Sequence, residues 1–566
     1  MAKKRAVATT RPREEYQPYA PASFTGALES PWRAVLAHPA DLDARAVLAD
    51  ALLDAGDLRG EYLQLALSKQ PTPAEIDRRD ELFGRLSPEW RRHLKPDDIT
   101  LARNLRGIGF ANGLPEIAHV QLRTPAVLDW LFERAPIREL EAQDSEADPR
   151  WVEWLPRHPI VKHLRRLSAG GERPALTEPL LATGAFASVE TLEVVAPLTA
   201  SFAKTLAEKA PALRALTVRH LGDEVEPAAV RTLASLPLHA LRLEGVSLAD
   251  SATKALAGFV LLERLELRSA TIEWSALSAL PRLRALHLEA SAPALGALAA
   301  FLGRSALLTE LTLDNVGLRA DTVAPVLASS AAVESLSLNS NMLGDTGLAA
   351  LARLALPRLR EVSISQVRAS PAGFASLALA EWPLERADFG LNALDEAGAT
   401  SLATGPLCRR LKELELLMTN VGSKGARALS AAPWFAGLES LSLFSNRIGN
   451  TGLRALLEHM PNAQTLFLGR ENPFKEEGLL VATRGVLPKL RHLRVDEVKA
   501  TTIEAFVASG HADGLHTFGF GNSELTEAAA RALVTLPRVH TGGAPWSRIE
   551  PVALELLQAR WPNFAT

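Results

Sequence analysis

The chain has 566 residues, 47% apolar and 22% charged, which permits a large buried core and excludes global disorder. Its 62 basic and 65 acidic side chains leave a formal net charge of −3, so no overall field favours nucleic acid or an anionic membrane. The single cysteine, Cys408, excludes a disulfide framework or a thiolate zinc cluster within the chain and suits a reducing compartment.

Residues 1–27 carry Lys3, Lys4, Arg5, Arg11 and Arg13 with several prolines and no hydrophobic periodicity, so a flexible basic tail is expected. Glu14 and Glu15 nearby favour a solvated terminus over contact with nucleic acid or acidic lipid. The basic start is not followed by the apolar run of a secretory signal. No apolar stretch reaches the roughly 18 residues that span a bilayer. A cytoplasmic protein with no membrane partner is the expectation.

Residues 30–67 show helical spacing of Leu and Ala. Asp43 is placed to cap a helix through Leu53, Gly56 stands where a left-handed residue ends it, and Asp57 can cap the next helix. A third helix is expected over Ala74 to Leu86, after Pro73 and before Pro88.

The motifs of this stretch are Pro39 to Asp43, Arg45, Ala49-Asp50, Gly56-Asp57 and Arg59-Gly60-Glu61-Tyr62. They resemble the short bacterial repeat-companion domain that often precedes leucine-rich repeats, with Ala51 where that family usually carries Trp. The resemblance covers about forty residues and implies no activity. Arg45, Asp50, Arg59 and Glu61 read as a polar network locking the hairpin, with a functional cluster as the alternative.

From about residue 114 the pattern becomes L-x-x-L-x-L, recurring about every 21 to 27 residues for about seventeen turns. Clear units contain Leu213, Leu262, Leu283, Leu308, Val333, Leu411 and Leu441; weaker ones begin near Leu114, Ile137, Leu164, Val189, Leu238, Leu359, Leu384, Ala463, Leu490 and Leu515. Alternation puts one set of leucines inward on a short strand and leaves the intervening residues on the open face, while an Ala/Leu segment returns as a helix behind. Asn341 and Asn446, three positions after the last strand leucine, are placed to bond backbone groups where the chain turns. These units, with that at Phe389, resemble the ribonuclease-inhibitor-like group of leucine-rich repeats over roughly residues 114 to 540.

The fold expected is α/β: a leucine-rich-repeat solenoid, a parallel-strand horseshoe with helices on the convex side, preceded by a small all-α domain. Its parts are the tail 1–27, a helical companion domain 28–95, a solenoid 96–540 and a C-terminal cap 541–566 in which Trp546, Trp561 and Phe564 cover the last coil.

No phosphate-binding loop, nucleophile elbow or metalloprotease helix motif occurs. His287, His492 and His516 come from distant units, so a metal site is not expected, and Cys408 lacks a His partner and reads as inert. No catalytic residue and no cofactor are assigned. What remains is the open strand face, whose central part is charged: Arg242, Glu244, Arg264, Glu266, Arg268, His287, Glu289, Glu310, Thr312 and Asp314. These charges either pair across the sheet or meet a partner. Further along, the same register puts Phe444 and Phe467 on the exposed face of neighbouring coils, followed by His492 and Arg494, the kind of cluster that anchors protein interfaces. Tucking of both rings under a cap or loop is the other reading.

The expectation is thus a cytoplasmic bacterial scaffold, not an enzyme, that binds a protein partner on its concave face. A recruiting or regulatory subunit of a separate enzyme is the alternative, and an unrecognised enzyme in the helical N-terminal domain a second one.

Overall fold

The computed structural model describes residues 24–121, 123–143, 154–170, 186–220, 225–275, 277, 280–472, 486–561 and 564–566. The expected basic tail lies outside these residues up to residue 23. The chain forms two compact units. The first holds Ala22–Pro71 and His93–Val367, the second Thr72–Arg92 and Arg368–Thr566.

In the first unit, helices Glu29–Ala37, Leu42–Asp54 and Leu58–Leu67 pack as a small helical group. Asp41, two residues earlier than expected, accepts from the amides of Asp43 and Ala44, and Asp57 caps the next helix through the Arg59 amide. Gly56 adopts the left-handed conformation foreseen for it, φ +71°. Arg45 is fully buried, donates from Nε to the Pro39 carbonyl at 3.0 Å and pairs with Glu116. Glu116 lies on the strand Leu114–Gln121, so this pair joins the helical group to the start of the sheet. Arg59 forks onto the Asp57 carboxylate and lies 4.4 Å from the Phe24 ring centroid, and Asp50 accepts from Gln64.

The sheet opens with an antiparallel hairpin, Leu105–Ala111 against Leu114–Gln121, and every later strand pairing in the unit is parallel. Leu265, Leu286, Leu311 and Leu336 sit directly opposite one another as successive rungs, each at most 1% exposed. Helices such as Ala200–Lys209 and Leu295–Leu302 alternate with the strands, and their Phe202 and Phe301 are fully buried.

The second unit repeats the coil from Arg386–Asp388 to Thr541–Gly543, one strand beyond the last expected repeat. Helix Pro551–Arg560 follows, and Trp561 and Phe564 pack around Phe518 with the Trp561 indole donating to the Val539 carbonyl at 3.0 Å. Trp546 does not join this cap. It is 66% exposed, with the Arg470 guanidinium 4.2 Å from its ring centroid.

Helix Pro73–His93 belongs to this second unit and continues through Pro88 instead of stopping before it. Leu82, Leu86 and Trp90 fall four residues apart and are all buried; this apolar stripe offsets the donor lost at Pro88. The helix docks on the C-terminal coils. Asp77 accepts from Arg491 at 2.8 Å, Phe83 meets the His540 ring, and a side chain at Gly84 would run into the Arg538 backbone.

The turn after each strand is the most regular local feature. Residues one or three places past the strand end hold positive φ in coil after coil, among them Ser269, Asn315, Ser340, Leu391, Met418, Ser445 and Trp546. The next residue supplies the bond that holds the bend. Asn341 Oδ1 accepts from the amides of Val316 and Leu318 in the preceding coil, while Nδ2 donates to the Leu313 and Leu338 carbonyls. Asn446 repeats this with Thr419 and Val421, and Asn392 with Ala369. Where the asparagine is missing a short hydroxyl takes over: Ser291 serves Ala270, and Ser523 serves Val498.

Candidate protein-interaction surface

The alternation that buries the leucines leaves three rows of side chains standing on the open face of the first unit's sheet. Ala240, Arg264, Ala285 and Glu310 form the first row, Arg242, Glu266, His287 and Thr312 the second, and Glu244, Arg268, Glu289 and Asp314 the third. Lateral neighbours on such a sheet lie about 4.8 Å apart, within reach of long side chains.

Most of these charges are matched to one another. Arg264 reaches across the methyl group of Ala285 and forks onto Glu310, with contacts of 3.1 and 2.7 Å. His287 Nε2 lies 2.7 Å from the same carboxylate. Burial pushes Glu310 up, but the Arg264 bonds and His287 outweigh it and hold its carboxyl below the usual range. The Glu310 bonds raise Arg264 in turn. Glu266 stands 3.6 Å from Arg264, 3.7 Å from Arg242 and 3.7 Å from His287. Arg268 pairs with Glu289 at 3.1 Å, and Glu244 lies between Arg219 and Arg242 at 3.6 and 3.9 Å.

Asp314 differs. It accepts from the Ser337 hydroxyl and the Asn339 amide, bracing the next coil, and Asn339 does the same for Ser363 and Ser365. Burial raises the Asp314 carboxyl, and these bonds only partly counter it. Asp314 is thus committed to the turn.

In the second unit Phe467 stands on the open face, 38% exposed, directly opposite Ser442 on one side and Arg494 on the other. Phe444 is not its register mate. It follows the strand Ser440–Ser442 by two residues and lays its ring, half-buried, over Gly469, where any side chain would collide with it. The Arg494 guanidinium lies 5.6 Å from the Phe444 ring centroid and 3.9 Å from Asp496. Phe444, Phe467 and Arg494 therefore form one patch across three coils. His492 is drawn the other way, bonding Thr517 at 3.0 Å and meeting the His516 ring edge-on near helix Pro73–His93. Burial lowers the pKa of both histidines.

Cys408 is fully buried and its thiol is pushed up to about 12 by that burial, which makes it unreactive. Among the described residues no group of three or more His, Cys, Asp or Glu side chains is placed to hold a metal ion. Nor is any helix long and apolar enough to cross a membrane.

A family model described as a leucine-rich repeat matches residues 330–352 and 438–457, the stretches that contain Asn341 and Asn446 and their bonded turns. The chain carries leucine-rich repeats. Solved structures similar to it include an internalin from Listeria monocytogenes, 18% identical, covering 64% of this chain and 88% of that one with a TM-score of 0.35. A leucine-rich-repeat protein from Leptospira interrogans is 15% identical over 71% of this chain and 95% of its own, with a TM-score of 0.37. The yeast complex of Rad7 and Elc1 matches at 14% identity over 50% of this chain and 74% of that one, with a TM-score of 0.40. No curated protein sequence matches the chain.

Several contributors to the open face were not foreseen. Arg166, Glu193, Thr217 and Arg219 extend the charged area towards the N-terminal coils. Arg166 and Glu193 belong to the weaker units near Leu164 and Val189, where the register is hard to read from sequence, whereas Thr217 and Arg219 follow the clear unit at Leu213. Asp77 and Asp80 on the docked helix meet Arg491 and His516, and Phe83 on the same helix meets His540.

Proposed function

We propose that the chain is a non-catalytic, cytoplasmic bacterial interaction scaffold that binds a protein partner on the open, concave-side face of its strands. The observation that carries this reading is the Phe444, Phe467 and Arg494 patch. Phe467 stays 38% exposed on a sheet face, and an exposed aromatic beside an arginine is the composition of interface anchors. The matched charges around Arg264 and Glu310 supply a second, preorganised polar surface that a partner can meet without reordering it. Arg242, Glu244, Glu266, Arg268, Glu289 and Asp314 fill out that surface, and His492 borders the aromatic patch.

Arg45 and Arg59 are buried and already bonded within the helical group, which supports a structural lock in the companion-like region over an enzyme there. A recruiting subunit of a separate enzyme shares the same surface and differs only in what is recruited. Affinity capture from the native cell followed by mass spectrometry identifies the partner. Phe467→Ala then weakens its binding by roughly 30-fold, the effect of losing a hot-spot aromatic of about 2 kcal/mol, with thermal melting unchanged. Binding at wild-type strength after Phe467→Ala together with Arg494→Ala overturns the assignment of the patch.

A further inference from the structure

The open face of the first unit is not flat. A recess of about 250 Å³ interrupts it, bordered by Arg166, Glu193, Thr217, Arg242, Arg264 and Glu266. Its cause is visible in one row of the sheet, where Arg166, Thr191, Ala215, Ala240 and Arg264 lie side by side. Long guanidinium groups stand at both ends of this row, and two successive methyl groups form the floor between them.

The donors and acceptors around the recess are not in balance. Arg264 is forked onto Glu310 through two of its N–H groups and approached by Glu266. Glu193 accepts from the Ser168 hydroxyl at 3.1 Å, and Glu266 has Arg242, Arg264 and His287 around it. Both carboxylates therefore have partners. Arg242 has only contacts of 3.7 and 3.9 Å, longer than a hydrogen bond. Arg166 is exposed and its side chain has no hydrogen bond or ion pair among the described residues. Two guanidinium forks and the Thr217 hydroxyl are left with donors to give.

We propose that this recess binds the carboxylate side chains of an acidic segment of a partner protein, held by Arg166 and Arg242. The assignment rests on the scaffold reading above and names the chemistry of what that face recognises. A ligand here must bring acceptors, and a guanidinium fork matches the two oxygens of a carboxylate. The space takes one or two acidic side chains and is too small for a folded element. Because the recess is shallow and lies on a broad sheet, a single carboxylate gains little, and affinity has to come from several linked along one chain.

The probe is a capped tetraglutamate peptide, titrated into the full chain at low salt beside capped tetraglutamine, capped tetralysine and free glutarate. The expected result is that tetraglutamate binds best, and that Arg166→Gln with Arg242→Gln weakens it at least tenfold without changing the melting temperature. Arg231→Gln, on the helix Pro227–Leu233 behind the sheet, leaves it unchanged. Tetraglutamate binding no better than tetraglutamine, or equally well to the double variant, overturns the proposal; glutarate binding as tightly as the peptide overturns the assignment to a protein segment. The scaffold reading is tested separately. A captured partner that Phe467→Ala weakens and the double variant does not touch leaves the scaffold standing and sinks the recess. Selective tetraglutamate binding with no partner captured keeps the recess as a carboxylate site and sinks the scaffold.

Discussion

At the residue scale, single polar side chains hold the coils together because each strand must turn inside a buried setting where bare amides are costly. Asn446 meets this demand with an amide that accepts from Thr419 and Val421 and donates to the Leu416 and Phe444 carbonyls. Asn446→Ala strips partners from several buried groups at once and is expected to cost about 3 kcal/mol, read as a fall in the denaturant midpoint. A loss below about 1 kcal/mol would show that water replaces the amide. The Arg45 and Glu116 pair makes a second case, since both side chains are almost fully buried. Burial raises Glu116, and the Arg45 charge works against that rise. Glu116→Ala leaves an arginine buried without its counter-charge and is expected to destabilise by about 3 to 5 kcal/mol, whereas a paired exchange to apolar residues is close to neutral. Equilibrium unfolding of the two variants distinguishes these outcomes.

At the element scale, helix Pro73–His93 rests against titratable groups, Phe83 on the His540 ring and Asp80 beside His516. His540 is pushed down to about 4 by burial, assisted by the charges of His516 and Arg91, and His492 and His516 are lowered as well. Asp80 opposes the shift without reversing it. A base with a depressed folded value contributes its stability in full above its unfolded value of 6.5 and loses it as pH falls towards about 4. Asp77, held low by Arg491, keeps its contribution through that window because its ordinary value is 3.8. Docking of the helix is therefore expected to weaken between pH 6.5 and about 4, seen as faster hydrogen exchange of the helix amides after correction for intrinsic rate. His540→Gln should flatten this dependence. Protection that stays constant across the window in the native chain would count against the histidines as its cause.

At the scale of the whole molecule, each unit is a stack in which a coil is stabilised by its immediate neighbours. Leu286 lies fully buried between Leu265 and Leu311. Leu286→Ala should cost about 2 to 5 kcal/mol and raise hydrogen exchange in the coils of Leu265 and Leu311 more than in distant ones. A uniform rise throughout the unit would instead mean that it opens as a single block.

The leucine row, the coil period and the asparagine turns are legible in the sequence because each follows from spacing within one repeat. The spacing aligns Leu265, Leu286, Leu311 and Leu336, and they fall on successive rungs. The N-caps shifted by two residues at Asp41 because Asp41 and Asp43 are equivalent by composition, and only backbone geometry separates them. Phe444 was read as a strand residue because it alternates with leucines. The chain in fact leaves the sheet after Ser442, and a glycine in the next coil gives the ring its seat.

Sequence by itself determined which side chains enter the spine and where each coil bends, since short-range periodicity and local hydrogen bonding dictate both. Tertiary structure decided which charges cancel, which arginines keep spare donors and where helix Pro73–His93 comes to rest. Arg264 finds Glu310 two coils away only because Ala285 between them is small, and Asp77 meets Arg491 across 414 positions of chain. Such pairings depend on the lengths and sizes of side chains brought together by stacking, and no pattern within a single repeat encodes them.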